Sequence, residues 1–120
     1  MITLILFFIA GILNACMDTL ATHYSTSIFR FWKNQNWVNP SLSWHDKWSS
    51  KYKFIKFLMS TIFVWLTDFW HLCKFLMLIF ISLGVVLYHP ITTWYLDALI
   101  LYCIFTLTFQ IFYGNLLVKK

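Results

Sequence analysis

Apolar residues run almost unbroken through three stretches of the chain, separated by one polar, aromatic segment and one short turn. The first stretch covers about residues 2–21, close to the ~20 residues a helix needs to cross a bilayer. A polar middle follows over about residues 22–56. The second apolar stretch occupies about residues 57–88. His89-Pro90 closes it, because a proline disfavours helix in the residue before it. The third covers about residues 91–118. The pattern predicts an all-α integral membrane protein, a single transmembrane domain of three helices over residues 1–120 with an interfacial aromatic and basic loop.

The second stretch is too long for a simple crossing, since the apolar run starts near Phe54. At 1.5 Å per residue the whole of it would make a helix of roughly 50 Å, against a hydrocarbon core of ~30 Å. Its sequence has no Gly or Pro before Gly84, so a hairpin inside it is disfavoured. Two forms remain: one long helix with its first turns in the headgroup layer, or a helix broken near Thr67 with Phe57 to Leu66 interfacial.

Composition agrees with lipid as the solvent. The chain is 61% hydrophobic and 11% charged, against about 45–50% and about 25% in soluble domains. The net charge of +5 does not indicate nucleic acid, because the basic residues flank apolar segments as membrane anchors do. Arg30, Lys33, Lys47, Lys51, Lys53 and Lys56 fall in the middle segment, and Lys119-Lys120 end the sequence. The turn at His89-Pro90 has neither Lys nor Arg. The positive-inside rule then places the N-terminus outside and both the middle loop and the C-terminus in the cytoplasm. Three crossings satisfy these assignments together, whereas two or four do not. Trp32, Trp37, Trp44 and Trp48 recur through the loop and predict that it lies on the membrane surface. Asn39-Pro40 reads as a turn, with Ser41 or Ser43 capping a short helix over Trp44 to Trp48.

The candidate chemistry lies inside the apolar stretches. Asp68, His71 and Lys74 are spaced by three, and ionisable groups at membrane depth turn to a bundle interior or to water. On a continuous helix Ser60, Thr61, Thr67, Asp68, His71, Lys74, Ser82 and His89 share a face of about 140°. The first span offers a matching face: Gly11, Asn14, Asp18, Thr22 and Ser25 within about 80°. Gly11 permits close helix approach and Asn14 a hydrogen bond across the interface. The expected polar cluster is Asn14, Asp18, Asp68, His71 and Lys74. Its bland reading is a salt-bridge and hydrogen-bond network that fixes helix register. Asp18, Asp68 and His71, with His23 or His89, are also a ligand set suited to divalent Zn, Fe or Mn. The same groups resemble a proton relay, since His titrates near neutrality. Asp97 sits near the outer boundary, where water solvates it.

Cys16, Cys73 and Cys103 lie one in each span, with no CxxC spacing. They read as small buried hydrophobes, not as a disulfide framework or zinc ribbon. The N-terminus lacks the basic region of a signal peptide, and Leu13 to Cys16 departs from a lipoprotein cleavage box at Asn14. No G-x-S-x-G elbow surrounds Ser25, Ser27, Ser41 or Ser43, so an enzyme is not the leading reading. Three blocks together, Met17-Asp18 with His23 and Ser27, Asn39-Pro40 with Ser43-Trp44 and Lys47-Trp48, and Thr67-Asp68 with Trp70-His71, resemble small uncharacterised membrane proteins of bacteria and their phages. The resemblance covers about residues 14–75 and implies no activity, so no functional residue carries over.

The sequence thus leads to a small multipass membrane protein with an intramembrane Asp/His/Lys cluster, structural first, with metal or proton binding as its chemistry. From other classes come an oligomeric, holin-like pore and an interfacial metal-dependent enzyme acting on lipid. The expected partners are the bilayer and further copies of the chain, without nucleic acid.

Overall fold

The computed structural model describes residues 1–43 and 53–119. Trp44, His45, Asp46, Lys47, Trp48, Lys51 and Lys120, with the short helix expected over Trp44 to Trp48, lie outside the described residues. The elements in order are α1 (Ile2–Thr22), two 3-10 turns (Tyr24–Thr26 and Ile28–Phe31), a single helical turn α2 (Gln35–Val38), α3 (Lys53–Thr61), α4 (Val64–Thr67), α5 (Phe69–Val86) and α6 (Trp94–Ile111). The last runs on as a π-helix over Phe112–Leu117. Three helices, Ile2–Thr22, Phe69–Val86 and Trp94–Leu117, are long and apolar enough to cross a membrane.

α1 is the middle helix, packing against both α5 and α6. A third of its apolar window is buried (33%), against 11% in each of the other two. Gly11 is where α6 comes closest: a Cβ there would stand 2.8 Å from the Phe105 carbonyl oxygen and 2.9 Å from Thr108 Cβ. Gly84 on α5 accepts the Phe7 ring of α1 in the same manner. Small residues let helix backbones approach when lipid supplies no hydrophobic drive between helices. Hydroxyls within the helices bond back to the carbonyl one turn earlier, as Thr19 does to Ala15 at 2.7 Å, Thr22 to Asp18 at 2.6 Å and Thr108 to Ile104 at 2.7 Å. This hides them from an apolar solvent.

The second apolar stretch is broken, so the expected span over residues 57–88 shortens to Phe69–Val86. Asp68 is the reason. Its backbone is extended (φ −156°, ψ 161°), and its carboxylate accepts the His71 backbone N–H at 2.8 Å. Asp68 is therefore the N-cap of α5, not a mid-helix residue. A side-chain acceptor at this position satisfies one of the donors that a helix start leaves open. The continuous polar face drawn from Ser60 to His89 does not exist across this break. α3 and α4 precede it as short helices, with Phe54 and Phe57 exposed.

Asp97 is buried, 2% exposed, not solvated. It accepts from the Tyr88 hydroxyl (2.5 Å), the Ile91 and Thr92 amides (2.9 and 3.0 Å) and the Thr92 hydroxyl (2.8 Å). One carboxylate thus holds the whole α5–α6 turn. It also uses the residues from Ile91 as turn, which is why α6 starts at Trp94, later than expected. The Asp97 hydrogen bond, with burial second, holds the Tyr88 phenol above its ordinary value of 10. The neutral phenol is the form that donates. Its contribution to stability is complete at neutral pH and is lost as pH rises through the raised value. Melting curves of wild type and Tyr88→Phe should differ most at neutral pH and converge on the alkaline side. A gap that widens with alkali would contradict this assignment.

The described part of the polar middle segment packs against the ends of the long helices. Phe29 and Val38 are buried with Ala15, Leu20 and Leu117, and Trp37, Phe69, Trp70 and Tyr113 close around them. Trp37 Nε1 donates to the Leu66 carbonyl at 3.0 Å. Ser27 pairs with Val118, and the Lys119 amide donates to the Thr26 carbonyl at 2.9 Å. The start of the loop, the head of α5 and the end of α6 therefore meet at one end of the bundle.

Candidate functional site at the head of α5

The N-cap that breaks the second stretch also holds a histidine. His71 stands three residues after Asp68, the spacing at which side chains meet on one helix face. Its Nδ1 lies 2.6 Å from Asp68 Oδ2, while Asp68 Oδ1 keeps the His71 amide. Asp68 is 1% exposed and the His71 side chain 23%. A carboxylate accepts only, so Nδ1 is the protonated nitrogen and Nε2 carries the lone pair of the neutral ring. Thr67 Oγ1, 3.3 Å from Oδ2, completes the setting of the carboxylate.

Aromatic rings surround this pair. Phe69, the first residue of α5, is packed by Phe29, Trp32 and Trp37 at centroid distances of 5.0–5.5 Å between neighbouring rings. Trp70 meets His71 edge-on at 4.9 Å, and the Lys74 ammonium sits 5.3 Å from the Trp70 ring centre. Trp65 stacks on Phe75 at 4.7 Å, bridging α4 and α5 across the break. An open groove of about 480 Å³ lies beside them. His71, Lys74 and Thr61 are its polar lining, and Ile62, Val64, Trp65, Phe75 and Leu78 its apolar lining. No acidic side chain among the described residues forms an ion pair with Lys74.

The structure joins Asp68, His71 and Lys74 but not Asp18 or Asn14. Asp18 is exposed. Gly11 shares the Asp18 face, and that face meets α6, not α5. His23 lies beyond the end of α1. Its Nδ1 is 2.7 Å from the Thr22 hydroxyl and 2.9 Å from the Tyr113 hydroxyl. Asp18, Asp68, His71 and His23 therefore do not form the expected metal set. Among the described residues no group of three or more His, Cys, Asp or Glu side chains could hold a metal ion. His89 is exposed in the α5–α6 turn, at the opposite end of α5.

Sequence reasoning missed two contacts. Trp65 and Phe75 were not singled out, yet they stack across the break and line the groove. The contact of Tyr113 with His23 left no motif, because it depends on how the chain ends are packed. No family model, curated protein or solved structure matches the chain.

Proposed function

We propose that this chain is a small multipass integral membrane protein that seats an anionic phospholipid in the groove at the head of α5. Its N-terminus is outside, and its loop and C-terminus are cytoplasmic. The observation that carries the reading is the make-up of the groove. Lys74 and His71 line it together with Trp65, Phe75 and Leu78. That is the complement of a molecule with a charged head and an apolar tail. Lys74 supplies the charge for a phosphate, and the Asp68–His71 pair holds the imidazole beside it in one orientation. The break at Asp68 supports the same reading, because it turns the chain from short helices bearing exposed Phe54 and Phe57 into a spanning helix. Lys and Arg near an anionic membrane surface contribute about 1 kcal/mol each.

The test is lipid retention by the detergent-purified protein, read by native mass spectrometry. Wild type should keep phosphatidylglycerol in preference to phosphatidylcholine. Lys74→Gln should reduce that preference about fivefold, the equivalent of about 1 kcal/mol. Lys33→Gln, in the loop, should leave it unchanged. Equal retention of both lipids by wild type would overturn the proposal, as would an undiminished preference in Lys74→Gln.

A further inference from the structure

We propose that one acyl chain of the phospholipid held at Lys74 continues along α5 into a second groove, shared by α5 and α6, so that the site binds the tail as well as the head. This rests on the assignment of an anionic phospholipid to the groove at the head of α5. α5 and α6 each pack extensively on α1 but not on one another, which leaves room between them beside α1. Two openings there have Phe7, Ala98 and Leu101 in common and are parts of one groove. Phe7 comes from α1, Ile81 and Val85 from α5, and Ala98, Leu101 and Phe105 from α6. The larger part measures about 380 Å³, within the ~300–1,000 Å³ of small-molecule sites.

α5 connects the two grooves. It is one unbroken helix over Phe69–Val86, so its side chains turn by about 100° per residue. Lys74, Leu78, Ile81 and Val85 then fall within about 60° of one another. Lys74 and Leu78 line the groove at the head of α5, and Ile81 and Val85 line the one shared with α6. Past Lys74 every side chain on this stripe is apolar. A cation at one end of an apolar track is the complement of an anionic lipid with its chain laid along the helix. Length agrees. Lys74 to Val85 spans about 17 Å at 1.5 Å per residue, and one leaflet is half of the ~30 Å hydrocarbon core. A chain that starts at Lys74 therefore reaches the shared groove within its own leaflet. Between apolar groups in lipid the gain comes from packing, not from exclusion of water, and the mixed surface of Phe7, Leu101 and Phe105 supplies that contact.

The experiment places the full-length protein in phosphatidylcholine liposomes with a trace of phosphatidylglycerol, or of phosphatidylcholine, that carries a diazirine at the methyl end of one acyl chain. After irradiation the labelled residues are mapped by mass spectrometry. Ile81, Val85, Ala98 and Leu101 should take about five times more label from phosphatidylglycerol than from phosphatidylcholine, the ratio expected for one lysine. Leu99 is exposed and lies about 160° from Leu101 on α6, so it should take label equally from both. Lys74→Gln should remove the excess. Ala98→Phe, which fills the shared groove, should remove it while Lys74 still sets the headgroup preference in detergent. No excess in the groove over Leu99 in wild type would overturn the proposal. An excess that survives Lys74→Gln would do the same, since the chain would then belong to another lipid. If the excess is absent but the headgroup preference still depends on Lys74, only the tail assignment falls. If neither depends on Lys74, the assignment of the headgroup falls with it. The comparison of the two lipids is made on wild type, so a poorly folding variant does not blunt it.

Discussion

Asp68→Ala should destabilise the protein by about 3 kcal/mol, the cost of a helix cap combined with that of a hydrogen bond to a charged group. Two losses combine. The His71 amide loses the acceptor that starts α5, and the His71 ring loses the carboxylate that holds Nδ1 at 2.6 Å. The two are not additive, because both pass through the same carboxylate. Asp68→Asn separates them. Its side-chain oxygen can still accept from the amide, and Asn caps a helix as well as Asp does. Its amide nitrogen, however, brings a donor to a ring nitrogen that is itself a donor. The expected cost is about 1 kcal/mol, near the value of one neutral hydrogen bond. Thermal unfolding in a mild detergent checks both. If alanine and asparagine proved equally costly, the cap would contribute nothing and the pair would carry the whole effect.

That carboxylate also marks the limit of what hydropathy could reveal. The three long apolar helices were legible because each is a long run with a single charged residue, Asp18, Lys74 or Asp97, and Ile2–Thr22 falls within a residue of its expected bounds. The break near Thr67 was one of the two forms left open for the second, but the polar face drawn across it failed because a helical wheel assumes continuity. On the wheel Asp68 reads as a polar residue on a stripe. In the chain it is an acid immediately before an apolar helix, which is also how an N-cap reads. The short sequence Thr67-Asp68-Phe69 held both readings, and only the backbone at Asp68 decides between them. The bundle was hidden for another reason. Residues that share a face can be read from spacing, and Gly11 with Asp18 is correct in that sense. Which helix meets the face depends on packing order, and α6 takes the place expected of α5. The packing of the loop was hidden because tryptophan serves two solvents: an indole suits the headgroup layer and also a small aromatic core. Phe29 and Phe69 form such a core for Trp32 and Trp37.

Gly11→Ala should cost about 1–3 kcal/mol, the usual range for overpacking a well-packed contact, although alanine favours helix over glycine by about 1 kcal/mol. The added carbon would meet the Phe105 carbonyl oxygen at 2.8 Å and Thr108 Cβ at 2.9 Å. Neither can swing aside, since one is backbone and the other is the root of a side chain. The helices must separate, and α1 is the only described helix that packs extensively on both others. Two further glycines scale the effect. At Gly84 the nearest atoms belong to the Phe7 ring, at 2.8 and 3.1 Å. A ring can rotate, so Gly84→Ala should cost less. At Gly114 nothing lies within 4 Å, and Gly114→Ala should be neutral or mildly stabilising. Melting temperatures in one detergent should therefore fall in the order Gly114→Ala, Gly84→Ala, Gly11→Ala. Equal melting temperatures across the three would mean that the close approach of α1 and α6 does not hold this bundle together. A drop confined to Gly11→Ala would identify that crossing as the contact on which the other helix positions depend.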